Sequence, residues 1–414
     1  PLVIGGGPCA VNPEPVADFF DAVVVGDGET VILEMMQVWR QWRGDGRGKA
    51  DLLKRWAAIE GVYVPCLYAV SFDEAGLPVT EALPGAPERV RRAVVADLDA
   101  AVFPDAPILP FGRPVHDRLR LEISRGCTRG CRFCQAGMIY RPVRERSPST
   151  LMELTTRALA QTGYEDLSLL SLSTSDYACI GELMERLMSR CAHDHVAVSL
   201  PSLRAGTLTP ELMALIKAVR KTGFTIAPEA GSARLRRVIN KNITEADIID
   251  TVENAFSLGW RVIKLYFMIG LPTETQEDLE EMVDLVKRLK TIRGQNQRGG
   301  KINVSVTTFI PKAHTPFQWA PQIDMDTSRE KLRWIKEQLK MPGVLVKWQD
   351  PAVSVIEGLW ARGDRRLAPL LVAAHEAGCK FDGWSDKFNL RRWQTAFEAA
   401  GIDPGFYSQR LRDL

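Results

Sequence analysis

From Leu119 onward the chain repeats one pattern: a short apolar run, a polar loop, then an amphipathic stretch with a marked start. The apolar runs at 119–124, 167–172, 196–200, 224–227, 262–269 and 302–309 read as strands. Ser147-Pro148 and Thr209-Pro210-Glu211 each pair a capping hydroxyl with proline at the first helical position. The stretch 273–292 carries Glu274, Glu277 and Asp278 early and Lys287, Arg288 and Lys290 late, as a helix dipole favours. Strands joined by crossover helices pair in parallel, and right-handed crossovers curl six of them into a partial (β/α)6 barrel. The fold class is therefore α/β.

Two flanking regions complete the 414 residues. Residues 1–100 begin with the strand Leu2-Val3-Ile4, which runs into Gly5-Gly6-Gly7. A helical turn follows at 14–20, then a strand at 22–25, and Gly26-Asp27-Gly28-Glu29 leads into a helix. Such an open α/β sheet, with glycine loops at its strand ends, is where such sheets bind ligands. A hairpin extension is expected at 62–82. Pro104, Pro107, Pro110 and Pro114 mark 101–118 as a linker. Residues 119–319 form the barrel, and 320–414 read as a smaller, mainly helical region. Because the chain opens at Pro1 straight into an apolar strand, further residues are expected upstream.

With 45% hydrophobic and 25% charged residues, the composition is that of a globular protein able to bury a large core. A net charge of +2 makes no case for nucleic-acid or membrane-surface binding by charge. No apolar run approaches the ~20 residues of a membrane span. Eight cysteines, three of them clustered, suit metal or redox chemistry in a reducing cytoplasm better than a secreted disulfide framework. Cys179, Cys191 and Cys379 read as small buried hydrophobes.

Cys127, Cys131 and Cys134 stand on one glycine- and arginine-rich loop just after the first barrel strand. Three thiolates can ligate three irons of a [4Fe–4S] cubane and leave the fourth open for a ligand. A structural zinc site needs four ligands, and the nearest histidine, His116, precedes Cys127 by eleven residues. Three thiols in a polar loop are poor core composition.

This spacing, with Phe133 before the last cysteine, resembles the radical S-adenosylmethionine (SAM) superfamily over about 119–319. The resemblance implies that SAM chelates the open iron and is cleaved to a 5′-deoxyadenosyl radical. It also implies a reductant such as flavodoxin or ferredoxin. Site residues follow by matched position. Ser173 and Ser175, in Ser173-Thr174-Ser175-Asp176, occupy the place of the glycine-rich motif, in a form similar to tRNA methylthiotransferases. Arg204 ends the third strand within Pro201-Ser202-Leu203-Arg204. In Ala227-Pro228-Glu229-Ala230-Gly231-Ser232, the resemblance implies Glu229 as the acceptor for ribose hydroxyls and Ser232 as a further cofactor-binding position. Lys241 stands where relatives often carry an arginine for the SAM carboxylate. Met268 opens the adenine-contacting turn Met268-Ile269-Gly270-Leu271-Pro272.

The N-terminal strings, with Gly5, Gly6 and Gly28 as binding positions, look like part of a cobalamin-binding-type, Rossmann-like domain. Such a domain precedes the barrel in a large subgroup of these enzymes. More closely, the chain resembles an uncharacterised subfamily that shares GDGET, SRGCTRGCRFCQAGMIYRP, APEAGSARLR and FMIGLPTET. The reaction expected from this is cobalamin-assisted methylation or another radical modification. Methylthiotransferase-like modification of RNA or protein without cobalamin is the first alternative. A non-enzymatic Fe–S or nucleic-acid-binding scaffold is the second. RNA as a partner rests on the tryptophans and the basic Arg362–Arg366 turn of the C-terminal region, yet 320–414 holds fifteen Lys/Arg against thirteen Asp/Glu. His314, closing the last barrel strand, either faces substrate or stabilises a turn. No motif names a catalytic residue or the substrate.

Overall fold

The computed structural model describes residues 1–112, 114–200, 204–206, 224–293 and 300–412. Its strands are β1 (Ile4–Gly5), β2 (Ala22–Val24), β3 (Val62–Tyr63), β4 (Tyr68–Phe72), β5 (Pro78–Ala82), β6 (Leu119–Glu122) and β7 (Ser124–Arg125). They continue with β8 (Arg144–Glu145), β9 (Asp166–Leu170), β10 (Ala197–Ser199), β11 (Phe224–Glu229), β12 (Val262–Ile269), β13 (Lys301–Thr308) and β14 (Val344–Trp348).

All six expected barrel strands form, and they pair in parallel in two curved sheets. One has the order β10-β9-β6 and the other β11-β12-β13-β14. Alternation sets the two faces of each sheet. Leu119, Leu121, Leu167, Leu169, Ile263, Leu265, Ile302 and Val304 turn outward into one continuous core beneath the helices. Intervening residues line the concave side. Among the described residues no closed barrel forms.

One strand goes beyond the sequence expectation. Residues 344–348 fall in the stretch whose sequence reads as mainly helical, but Val344 and Val346 pack on the core while Leu345 and Lys347 stay exposed. That two-residue period makes an edge strand on β13. The long helix spans Gln276–Thr291 rather than starting at 273, because Thr275 and Asp278 form a reciprocal capping box. Cys179 is exposed, not buried; it sits at the N-cap of the helix Ile180–His193, while Cys191 inside that helix is buried. The helix start at Thr209-Pro210 lies outside the described residues.

At the N-terminus β1 and β2 pair in parallel and β3 joins antiparallel. The expected hairpin divides: β3 enters this sheet, and β4 with β5 makes the hairpin proper. Segment 92–95 returns alongside β2 through a Gly26–Ala93 bridge. Gly26 has φ +112°, and a Cβ there would lie 2.2 Å from the Ala93 carbonyl, so only glycine fits. The C-terminal helices, from Pro351–Arg362 to Pro404–Ser408, close a separate small core around Leu359, Leu370 and Trp393.

This N-terminal unit is joined to the cysteine loop by buried charge. Asp27 pairs with Arg144 and, at 3.1 Å, with Arg125, and its carboxylate accepts the Val95 amide at 2.9 Å. Arg125 also holds Glu29 at 2.7 Å and Glu122 at 2.9 Å. Burial alone would raise the Asp27 pKa, but the Val95 amide and the two guanidiniums hold it below its ordinary 3.8. A depressed carboxylate stabilises the fold above the unfolded-state value and loses that contribution as pH falls through the folded-state value. Asp27→Ala would leave Arg144 buried without its anion. We expect a loss of about 3–5 kcal/mol in denaturant unfolding at pH 7, shrinking towards zero as wild type and variant are compared below pH 3.8.

Candidate functional site

The three cysteines converge. Cys127, Cys131 and Cys134, all free thiols, line one cavity of about 270 Å3 at the carboxyl ends of the parallel strands. Arg129, Ser173, Arg204, Glu229 and Lys241 share the lining.

The loop is held from both half-sheets. Arg129 forms a two-pronged ion pair with Asp176, which follows β9; its Nε lies 2.7 Å from the carboxylate. Asn240, beyond β11 at φ +54°, donates its side-chain amide to the Gly130 carbonyl at 2.9 Å. The Arg132 amide donates to the Ile239 carbonyl at 3.0 Å. Gly126 turns the chain at φ +97°, where a Cβ would sit 2.5 Å from the Tyr140 carbonyl. Neighbouring backbone amides of Arg129 and Gly137 point at the sulfurs of Cys127 and Cys134, at 3.5 and 3.4 Å.

These residues fit a cubane. Burial pushes the Cys131 and Cys134 thiols up, and the nearby Lys241 charge opposes it at both. Iron binding would displace those protons. Among the described residues, no group of three His, Cys, Asp or Glu is gathered tightly enough to hold a metal ion; the three cysteines share the lining of one cavity. Three thiols on one cavity are the donor set that a [4Fe–4S] cluster with one open iron would use.

Glu229 and Lys241 face each other across the cavity at 3.4 Å. Burial raises the Glu229 carboxyl against the pull of Lys241. Arg204 reaches the cavity and donates to the Asn242 carbonyl at 2.6 Å. Ser175 sits one residue beyond the buried Thr174, in a short 3-10 turn. Five other expected positions lie away from the lining. Ser232 is fully buried and caps the helix Ala233–Val238, accepting from the Leu235 amide and bonding Asp278. Met268 packs with Phe309 and Leu271. Gly5 and Gly6 end β1 against Phe20 and Val24, and Gly28 is open on the Asp27–Glu29 loop. Pro201, Ser202 and Leu203 lie outside the described residues. His314, at φ +66°, places Nε2 2.8 Å from the Val11 carbonyl and so secures the N-terminal segment.

Sequence reasoning missed Arg236. It is 1% exposed and donates to the Ala230, Gly231 and Ile243 carbonyls, bracing the loops that carry Glu229 and Lys241. It stood inside the quoted string APEAGSARLR, but nothing in the spacing marks a buried arginine.

The comparisons agree with this geometry. Residues 121–286 match the Radical SAM superfamily model, and residues 1–65 match the model for radical SAM proteins, N-terminal. An uncharacterised protein of Methanocaldococcus jannaschii is 34% identical over 374 residues, covering 89% of this chain and 73% of that protein. The chain thus belongs to the radical SAM superfamily, and it is a radical SAM enzyme. A ribosomal protein uS12 methylthiotransferase of Desulforudis audaxviator is 28% identical over 260 residues, 59% of this chain and 55% of its own length. A radical SAM methyltransferase of Kitasatospora setae, solved with cobalamin and a [4Fe–4S] cluster bound, overlays 77% of this chain at TM-score 0.51 and 16% identity. This chain spans 59% of that one, so the likeness is one of fold.

Cys131→Ala is expected to abolish the iron–sulfur absorption of the reconstituted protein. Asn240→Ala, which frees one side of the loop, should weaken iron retention against a chelator about tenfold or more while leaving the circular dichroism unchanged.

Proposed function

We propose that this chain methylates a substrate carbon with the help of cobalamin, with SAM serving both as the radical source and as the donor of the methyl group. The observation that carries the proposal is the union of the two units: the glycine-loop sheet is joined to the cysteine loop through Asp27–Arg125. A second cavity of about 500 Å3 opens at that junction, lined by Val25, Tyr63, Arg92, Met138, Ile139 and His314. Val25 follows β2, so this cavity lies at the strand ends, where α/β sheets take ligands. Met138 and Ile139 belong to the helix just after Cys134. A ligand there would sit next to the cysteine loop, and the fold likeness to a cobalamin-bound methyltransferase supports cobalamin as that ligand.

The chain's own residues supply binding and shielding. Cys127, Cys131 and Cys134 would hold the cluster. Glu229 would accept from hydroxyls of the bound nucleoside, and Lys241 and Arg204 would face its carboxylate. Leu172 and Phe133 cover the cavity with apolar surface and keep water from the reacting atoms. With cluster and SAM in place, the group would supply the radical chemistry needed to remove a hydrogen atom from the substrate. An external electron donor of the flavodoxin or ferredoxin kind completes the system. Among the described residues no helix is long and apolar enough to cross a membrane.

The methylthiotransferase relatives favour sulfur insertion as the second reading. The two diverge in one anaerobic experiment with reconstituted protein, SAM, dithionite and hydroxocobalamin. We expect 5′-deoxyadenosine to form in the wild type and not in Cys131→Ala, with cobalamin retained through gel filtration. Deoxyadenosine without retained cobalamin would refute the methylation reading and favour sulfur insertion.

A further inference from the structure

A (β/α) barrel that serves only as scaffold fills its interior with branched apolar side chains. The concave face of β11–β14 does the opposite. Ile263, Leu265 and Phe267 of β12 and Ile302, Val304 and Val306 of β13 point outward into the core. Their alternates, Lys264 and Tyr266 with Asn303, Ser305 and Thr307, therefore line the inside. The register arranges them in rows. Thr225, Lys264, Asn303 and Leu345 form one row; Tyr266, Ser305 and Lys347 form the next towards the cysteine loop.

Charge on this face has one sign. β12, β13 and β14 carry no Asp or Glu, and the only acid on β11 is Glu229 at its end, already paired with Lys241. Lys264 and Lys347 are exposed and, among the described residues, make no ion pair. The site's other cations differ: Arg125, Arg129, Arg144 and Lys241 each hold a carboxylate. Two strand spacings, roughly 10 Å, separate β12 from β14, so two lysine stems can reach one ligand.

Polarity changes along the barrel axis. Nearer the cluster cavity the first half-sheet exposes Leu170 (47%) and Leu172 (39%). Leu172 lines both the cysteine cavity and an adjoining one of about 310 Å3 that includes Glu122, Ser124 and Leu170. Lys264 lies four residues below Met268, or roughly 13 Å at 3.3 Å per residue.

We propose that this face is a substrate channel for a small organic anion, a phosphate ester or a polycarboxylate. Its charged end rests on Lys264 and Lys347, and its reacting carbon lies at Leu170 and Leu172. The channel rests on the radical reading of the adjacent cavity but makes no demand on cobalamin. Tyr266, Asn303 and Ser305 hydrogen-bond the middle of the ligand. Two unpaired ammonium groups on one face repel each other, and a bound anion removes that repulsion. A polynucleotide backbone is the competing source of phosphate, but Lys264 lies near the start of β12, well below the strand's carboxyl end, where a single small molecule reaches more readily.

The test is calorimetric titration of the full chain, cluster reconstituted, with pyrophosphate and separately with tricarballylate. One of the two should bind saturably, and which one identifies the phosphate or the carboxylate class. Lys264→Gln and Lys347→Gln should each weaken that binding about tenfold. Lys287→Gln, on the outer helix, should not. Both strand lysines are exposed, so unchanged unfolding curves should accompany the loss. The channel is overturned if neither anion saturates, or if the two variants bind as the wild type does. It is also overturned if a single-stranded oligonucleotide alone binds with this lysine dependence. Failed anion binding with deoxyadenosine formation intact would count against the channel only. Lost deoxyadenosine with anion binding intact would count against the radical reading only.

Discussion

The ion network around Arg125 is what the remaining architecture depends on. One guanidinium, two residues before Cys127, gathers Asp27 and Glu29 from the N-terminal loop and Glu122 from the end of the preceding strand, β6. Such a group is costly to bury unless every charge finds a partner, and here the partners come from two separate parts of the chain. The orientation of the glycine-loop sheet and the position of the cysteine loop are therefore one problem with one solution. Arg144 reinforces it, joining Asp27 to the Tyr140 and Val95 carbonyls. The GDGET string, recognisable as sequence, owes its shape to this: Gly26 allows the close approach of 92–95, and Asp27 and Glu29 supply the charge.

Further attachments extend the assembly to the C-terminal helices. Arg365 bonds Glu14 and the Tyr63 hydroxyl, and Arg366 stacks 3.8 Å over Phe72 of β4. The basic turn that hinted at phosphate contact in the sequence is thus turned inward, onto the N-terminal unit. Trp393 is likewise core, in edge contact with Trp360. Trp348 and Trp384, by contrast, stay exposed.

How much could be read beforehand follows from what each signal is made of. Strand existence came through because a parallel strand covered on one side by helices keeps an apolar alternate, as in Ile263, Leu265 and Phe267. The cysteine triad came through because its ligands are adjacent in sequence. β14 was missed because its short, half-exposed run, Val344 to Trp348, follows a helix in a stretch rich in charge. Long-range pairs left no local trace: Arg129 with Asp176, Asn240 with Gly130, and Arg236 with three carbonyls each join residues whose spacing has no period. Ser232 misled for a physical reason, since a hydroxyl beside a strand end serves equally as helix cap or ligand contact.

The division into two half-sheets gives the cysteine loop a mechanical role. Among the described residues no ladder joins β10 to β11. The loop is anchored to one half through Arg129–Asp176 and to the other through Asn240–Gly130. It works as a stitch across a seam. Because metal binding to a site that folding must complete adds its free energy to folding, iron held by that loop would also strengthen the tie between the two half-sheets. Amide protons of β10 and β11 would then report cluster assembly from the far side of the sheet.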